Sequence, residues 1–423
     1  MHSVSHPARF HLLDPKLNSN QCGSSTKPSL VALFTAESTV GTGTTQTRIE
    51  QDQLIKWRFR ANGYKQILLN QLILKCPPEA IVEFTVVSYN ILGDKNASKH
   101  GDLYINVPYY FLSWDRRKRL VCEELICLQP DIICLQEVDR YNDLSITMDK
   151  EGYIGTYKRR TGEAVDGCAM FWKADKFHLL FEESIEFKEF GLRDNVSQIC
   201  VFEMQNADSR RVVVGNIHAI YNPRKGEVKL GQIRLLLLKA QTLSEKWGNI
   251  PIITAGDFNC TPQSPVYQFM SSSKLDVKFY DKGDLSGQRT CRRGQSGSVK
   301  ERLKKPYLLI DRLLDYGWTD EEFRTATGNS NGTVVYHPLK LRSSYASVKG
   351  SDSTRDSCGE PLATTFHSKI LGTVDYLWYT DGLVPTRVLE TLPLDVLTKT
   401  HGLPYENLGS DHLALASEFT FTQ

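Results

Sequence analysis

Hydrophobic and polar positions divide the chain near residue 83. From Met1 to Thr47, Ser, Thr, Gly and Pro dominate and no apolar periodicity lasts. Such a segment has too little to bury to offset its chain entropy, so residues 1–50 read as a disordered tail. Residues 51–82, with scattered apolar positions such as Ile67, Leu68, Leu72 and Ile73, read as a lead-in segment. At Glu83 the pattern changes: Phe84-Thr85-Val86-Val87-Ser88-Tyr89 is β-rich and apolar on both faces, which predicts a strand covered from two sides. Trp114 opens a helix with Leu120, Val121, Leu125 and Leu128 on one face, closed by Gln129-Pro130, and Asp131 to Leu135 forms the next strand. Further strands are predicted at Cys168–Trp172, Leu179–Phe187, Gln198–Met204, Arg211–Ile217, Ile250–Ala255, Thr373–Tyr379 and Leu413–Phe421. A long helix covers Leu230 to Trp247, and its stripe of Leu230, Ile233, Leu236, Leu237, Ala240, Leu243 and Trp247 is core packing. Mixed strands and helices without a linker between them predict one α/β domain over residues 83–423, a sandwich of two facing sheets with helices outside, four layers in all. Polar, Gly/Ser-rich stretches at 282–302 and 343–360 read as surface loops.

Composition narrows the function classes. The 423 residues carry 51 Lys+Arg against 49 Asp+Glu, a net charge of +2, so any polyanion site is local rather than a property of the whole surface. No apolar run approaches the roughly 18 residues that cross a bilayer. The 10 cysteines include no CxxC pair, and Cys122, Cys127, Cys134, Cys168 and Cys200 sit in apolar runs, which predicts buried, reduced thiols and an intracellular location in cytoplasm or nucleus. Residues before Asp14 are Ser-rich and free of acid like a transit peptide, but they are His-rich and broken by Pro, which favours a tail.

Chemistry-bearing residues stand at predicted strand ends, where the loops of a sheet gather into one cleft. Asn90 after the first strand and Glu137 after Ile133-Cys134-Leu135-Gln136 suit a hard cation, which takes oxygen ligands and keeps several waters. Each alone is equally a turn residue or a solvated acid. Ile252-Ile253-Thr254-Ala255 runs into Gly256-Asp257-Phe258-Asn259, where Asp257 could accept a proton from water and Asn259 could donate to a developing oxyanion. An Asx turn is the plainer reading of that motif. Period-two alternation puts Asn216 and His218 on one side as a phosphate clamp, although a strand-end histidine is often structural. Asp375, an acid within an apolar run, needs a partner, and Ser410-Asp411-His412 supplies an imidazole whose tautomer it would hold.

Taken in order, Asn90, Glu137, Asn216-x-His218, Gly256-Asp257-x-Asn259, Asp375-Tyr376 and Ser410-Asp411-His412 resemble the endonuclease/exonuclease/phosphatase superfamily. The motifs Ser88-Tyr89-Asn90-Ile91-Leu92, Asp166-Gly167-Cys168-Ala169, Tyr221-Asn222-Pro223, Lys229-Leu230-Gly231-Gln232 and Gly372-Thr373-Val374-Asp375-Tyr376 are similar to its deadenylase branch, the carbon catabolite repressor protein 4 homologues with Angel and nocturnin. The resemblance implies this superfamily's two-sheet α/β sandwich and Mg²⁺-dependent, or Mn²⁺-dependent, 3′-5′ hydrolysis of RNA, poly(A) above all, with release of AMP. It implies metal positions at Asn90, Glu137 and Asp411, a water-activating and phosphate-orienting pair at Asp257 and Asn259, a phosphate-binding dyad at Asp375 and His412, and a nucleotide pocket at His218 and Pro223. It also implies an aromatic ring for the terminal base five positions before Asp375. This chain has Ile370 there, which leaves Phe366 as the candidate substitute. Deadenylase-complex subunits are implied as partners, yet residues 1–82 show no leucine-rich repeat for docking. Two other readings stand beside the poly(A) nuclease: a metal-dependent phosphatase acting on a 2′,3′-cyclic phosphate or a nucleotide, and a non-catalytic RNA-binding scaffold.

Overall fold

Apolar runs bounded by turns pair into strands in the order the sequence predicts. The computed structural model describes residues 82–205, 210–289, 317–329 and 332–422. The expected tail, the lead-in up to residue 81 and the loop expected at 282–302 beyond residue 289 lie outside the described residues. Along the chain, β1 (Glu83–Asn90) leads through α1 (Asp94–Lys99) and α2 (Trp114–Leu128) to β2 (Ile132–Val138), then α3 (Tyr141–Lys150), β3 (Tyr153–Arg159), β4 (Gly167–Lys173), β5 (Phe177–Glu186), β6 (Val196–Met204) and β7 (Arg211–His218). Next come α4 (Gly226–Lys246), β8 (Ile252–Asp257), α5 (Pro265–Ser272), β9 (Lys274–Asp276), β10 (Val334–Tyr336), β11 (Arg342–Ser343), β12 (Thr365–Phe366), β13 (Leu371–Gly372), β14 (Asp375–Tyr379), β15 (Leu383–Val388) and β16 (Leu415–Phe421).

Two six-stranded sheets result, ordered β15-β16-β1-β2-β4-β3 and β11-β14-β8-β7-β6-β5. Each holds one parallel pair, β1 with β2 and β7 with β8. Parallel neighbours need a crossover, and α2 and α4 supply it. Between the sheets, Val86, Ile132, Cys134 and Leu415 meet Val212, Val214, Ile253 and Leu377. On the outside, α2 and α3 cover the first sheet through Val121, Leu125, Leu144 and Met148, while α4 covers the second through Leu230, Ile233, Leu236, Leu237 and Ala240. Both faces of the central strands are therefore dry, which is why their sequences are apolar without alternation.

Three details depart from the sequence reading. β15 carries Pro385 and a register shift beside it, as an edge strand can, and so hides its strand character. The stretch 343–360 is partly folded in: Ser343, Ser344, Tyr345, Thr354, Arg355 and Glu360 are buried, with the Arg355 guanidinium paired to Glu390 at 3.0 Å. The buried polar groups hydrogen-bond inward, as Arg355 does to Glu390 and the Tyr345 and Gly359 carbonyls, while Lys349 and Ser351 to Ser353 face solvent. Cys127 is exposed, on the outer side of α2, whereas Cys122, Cys134, Cys168, Cys200 and Cys260 are buried.

Candidate active site

Strand direction brings the polar strand ends together. β1 and β2 run parallel and finish at Asn90 and beside Glu137. In the second sheet His218, Asp257 and Asp375 are Cα partners in one row across β7, β8 and β14. The loop before β16 carries Asp411 and His412. Gly256 makes that row possible, since a Cβ there would lie 1.9 Å from the Ile217 carbonyl, at φ +149.

The first sheet contributes an acid held by donors. Glu137 sits at φ +57, an uncommon conformation for a side chain of this kind. Its carboxylate accepts from Asn96 Nδ2 at 2.8 Å, from the Gly93 N–H at 3.2 Å and from Asn90 Nδ2 at 3.2 Å. Burial alone would raise this carboxyl, but the His218 and His412 charges and the Asn96 and Asn90 hydrogen bonds outweigh it and bring it down to about 2. Asp411 accepts from the Tyr104 hydroxyl at 2.9 Å, and burial beside that acid keeps the phenol protonated.

The second sheet contributes the proton-handling groups. Asp257 accepts from the Asn259 N–H at 2.8 Å and from Asn90 Nδ2 at 3.1 Å, and lies 3.5 Å from His218 Nε2. Burial and the Asp375 charge push Asp257 up, against the pull of the two imidazoles. His412 bridges the sheets: its Nδ1 is 2.9 Å from Asp375 Oδ2, and its Nε2 is 3.9 Å from Asp257 and 4.0 Å from Asp411. Burial opposes charge on this ring, yet Asp375, Asp411 and Asp257 more than offset it and raise His412 well above the usual imidazole range. Thr364 Oγ1 donates to the same Asp375 oxygen.

Four carboxyl groups thus face two imidazoles, and among the described residues none of the four is ion-paired to a lysine or arginine. Asp257, Asp375 and His412 each bring one ligand atom within 4.8 Å of the others. The surplus of hard, negative oxygen donors fits a divalent cation. Residues 87–412 match the endonuclease/exonuclease/phosphatase family. The chain belongs to that family.

Among its relatives, carbon catabolite repressor protein 4 homolog 3 of Arabidopsis thaliana is 60% identical over 344 residues, covering 81% of this chain and 76% of the relative. Homolog 5 of the same plant is 48% identical over 389 residues, covering 89% and 83%. The crystal structure of ANGEL2, a 2′,3′-cyclic phosphatase, in complex with adenosine-2′,3′-vanadate superposes with a TM-score of 0.66 at 31% identity, covering 82% of this chain and 97% of that one. The four-layer sandwich is that of the family, and the chain is a nuclease or phosphatase of its deadenylase-like branch.

Against the family's set, the cleft gathers Asn90, Glu137, His218, Asp257, Asn259, Asp375, Asp411 and His412. Asn90 differs in detail. Its NH₂ lies between Glu137 and Asp257 and its oxygen accepts from the Leu92 N–H at 3.1 Å, so presenting that oxygen to a cation means turning the carboxamide over. Asn216 is not a clamp: it is fully buried, donates to the Leu135 and Ala169 carbonyls at 3.0 Å each, and accepts from Gln136 at 2.9 Å. It ties the two sheets together, because one pair step below His218 the strand is already between them. Phe366 and Ile370 are no base platform either. Phe366 is fully buried among Ala363, Leu392, Leu397 and Leu413, and Ile370 keeps 5% exposure. Pro223 is half-buried in the loop after β7. Asn96 and Tyr104 escaped the sequence reading. Both sit in the polar stretch after β1, where no period marks them.

Proposed function

We propose that this chain is a magnesium-dependent 3′-5′ exoribonuclease that shortens poly(A) and releases AMP. The observation that carries the reading is the His412–Asp375 pair standing across the cleft from Glu137, with Asp257 between them. The high identity to a carbon catabolite repressor protein 4 homolog supports RNA tails as substrate. Mg²⁺ bound by Glu137 and Asp411, with a turned Asn90, would supply charge neutralisation at the phosphate oxygens. Asp257 takes the proton of the attacking water, and its raised pKa makes it a better base than an ordinary carboxylate. His412, kept as imidazolium by Asp375, donates through Nε2 to a non-bridging oxygen as negative charge builds. Asn259 Nδ2 donates one N–H to the Ala219 carbonyl at 2.9 Å, and its other N–H is a second donor to that charge. Water oxygen bonds to phosphorus, the bond to the upstream 3′ oxygen breaks, and that oxygen takes a proton from solvent to become the RNA's new 3′ hydroxyl, while Asp257 returns to solvent the proton it took from the water.

A second reading has a specific observation behind it. Burial of Phe366 and Ile370 removes the ring expected to stack on the last base, worth about 1–3 kcal/mol per base. A small terminal group such as a 2′,3′-cyclic phosphate needs no such platform, and ANGEL2 is named a 2′,3′-cyclic phosphatase. The deciding assay gives the full chain and Mg²⁺ three 5′-labelled RNAs: one ending in twenty adenosines, one in twenty uridines, one in a cyclic phosphate. Laddering of the adenosine RNA that stops with a chelator supports the nuclease. Loss of the cyclic phosphate alone, without shortening, replaces it by the second reading, and inertness toward all three removes both.

A further inference from the structure

One buried cation plays no part in the chemistry above. Lys229, on α4, is fully buried, and among the described residues its Nζ contacts are to uncharged oxygens and not to a carboxylate. Burial drives its amine down to about 7, with the Cys260 and Asp257 charges acting the other way. Its Nζ donates to the backbone carbonyl of Asn259 and, at 2.7 Å, to Gln288 Oε1. Ser286 Oγ donates to the same glutamine oxygen at 3.0 Å. Gln288 Nε2 in turn donates to Asn259 Oδ1 at 2.9 Å, and Asn259 Nδ2 donates to the Ala219 carbonyl at 2.9 Å.

The direction of this chain of hydrogen bonds follows from two donors that converge on one atom. Lys229 Nζ and Ser286 Oγ both donate to Gln288 Oε1, which leaves the glutamine NH₂ turned toward Asn259. That occupies the asparagine oxygen. The asparagine is left with its NH₂ outward, one N–H on Ala219 and one for the cleft. Lys229 also grips the Asn259 backbone, which stands at φ +50, a left-handed conformation that asparagine tolerates better than other side chains.

We infer that Lys229 is a positioning residue, which through Gln288 fixes the carboxamide of Asn259 so that it presents a donor, never an acceptor, to the substrate phosphate. The inference rests on the proposed role of Asn259 toward that phosphate. Lys229 touches no substrate. Its work, together with the Ala219 carbonyl that accepts the other N–H of the same carboxamide, is to keep a lone pair from facing an anion.

The experiment uses the full chain and compares Lys229→Met, Gln288→Glu, Asn259→Ala and the Lys229→Met/Asn259→Ala double variant on the labelled RNA that wild type cleaves. Lys229→Met is expected to lower kcat about 100-fold with KM little changed, and to cost nothing further in the Asn259→Ala background. Gln288→Glu keeps an oxygen on Lys229 but removes the donor to Asn259. It is expected to match the kcat loss while its melting temperature stays at or above that of wild type. Multiplying losses in the double variant, or wild-type kcat in Gln288→Glu, overturns the inference, and the glutamate variant decides alone if Lys229→Met does not fold. Should wild type cleave none of the RNAs, the proposed function fails. Calorimetric titration with orthovanadate and Mg²⁺ then reads the same cycle: non-additive weakening upholds the positioning role, and unchanged affinity in Lys229→Met and Gln288→Glu refutes it.

Discussion

The two walls of the cleft are built differently. On the first sheet, Glu137 and Asp411 are aimed by groups outside the sheet, Asn96 on the short α1 and Gly93 and Tyr104 in the loops flanking it, which reach them from between β1 and α2. On the second, His218, Asp257 and Asp375 are placed by strand register, three neighbours in one row of hydrogen-bonded backbone, with Asn259 and Thr364 donating to the two carboxylates. Register is rigid because slipping by one residue would turn every side chain to the opposite face. Loop anchoring is softer and adjustable. In the proposed mechanism the wall that moves protons is the rigid one, and the wall with spare negative charge is the adjustable one. That suits a cation which brings its own preferred geometry and a proton transfer that tolerates little displacement.

Substitutions on the two walls should therefore fail in different ways. Asp257→Asn removes the base from the rigid wall, and kcat is expected to fall about 10⁴-fold with no recovery at high Mg²⁺. Equal recovery of this variant by added metal would erase the distinction. Glu137→Gln weakens the cation wall, so the loss, about 10³-fold at low Mg²⁺, should shrink as Mg²⁺ is raised; a metal titration of initial rates measures it. Tyr104→Phe deletes one supporting hydrogen bond to Asp411 and is expected to cost about 10-fold in Mg²⁺ affinity, read from the same titration, with the saturated rate nearly kept.

The smallest effect on chemistry comes from outside both walls. Burial pushes the Glu360 carboxyl up to about 7, against hydrogen bonds from Ser343 and Tyr267, from an ordinary value of 4.5. The folded state then holds a proton that the unfolded chain releases, so this group's contribution is complete below pH 4.5 and is lost as pH rises through about 7. Glu360→Gln stays neutral throughout. Urea melts between these pH values should show wild type losing up to about 3 kcal/mol relative to the variant, with RNA cleavage unchanged at pH 6.

The difference between the walls also explains what could be read from the sequence. Asp257 and Asp375 stand out because an acid at the end of an apolar strand is costly without a purpose, and their mutual placement follows from strand pairing. His412 becomes legible as the partner Asp375 requires. Asn216 misleads for the same reason, since period-two alternation gives the side it faces but not how deep between the sheets it lies. Phe366 misleads because a phenyl ring is equally at home in a core or under a base, and here the cluster with Leu392 and Leu397 claims it. Tyr104 and Asp411 meet across 307 positions, and Lys229 reaches Gln288 across 59. Such contacts arise only on closure of the fold, and polar residues in a loop or on a helix carry no local mark of them.

The strand order of the first sheet has a consequence for synthesis. β16 lies in the interior of that sheet, between β15 and β1, and the loop leading into it brings His412 and Asp411. A nascent chain lacking residues beyond about 400 has an open sheet edge along β1 and carries Asp375 without the imidazole of His412. The cleft is therefore completed only when β16 joins the sheet. A chain still emerging from a ribosome lacks the imidazole of its His412–Asp375 pair, and products of premature termination before residue 411 are expected to be inactive and proteolysed.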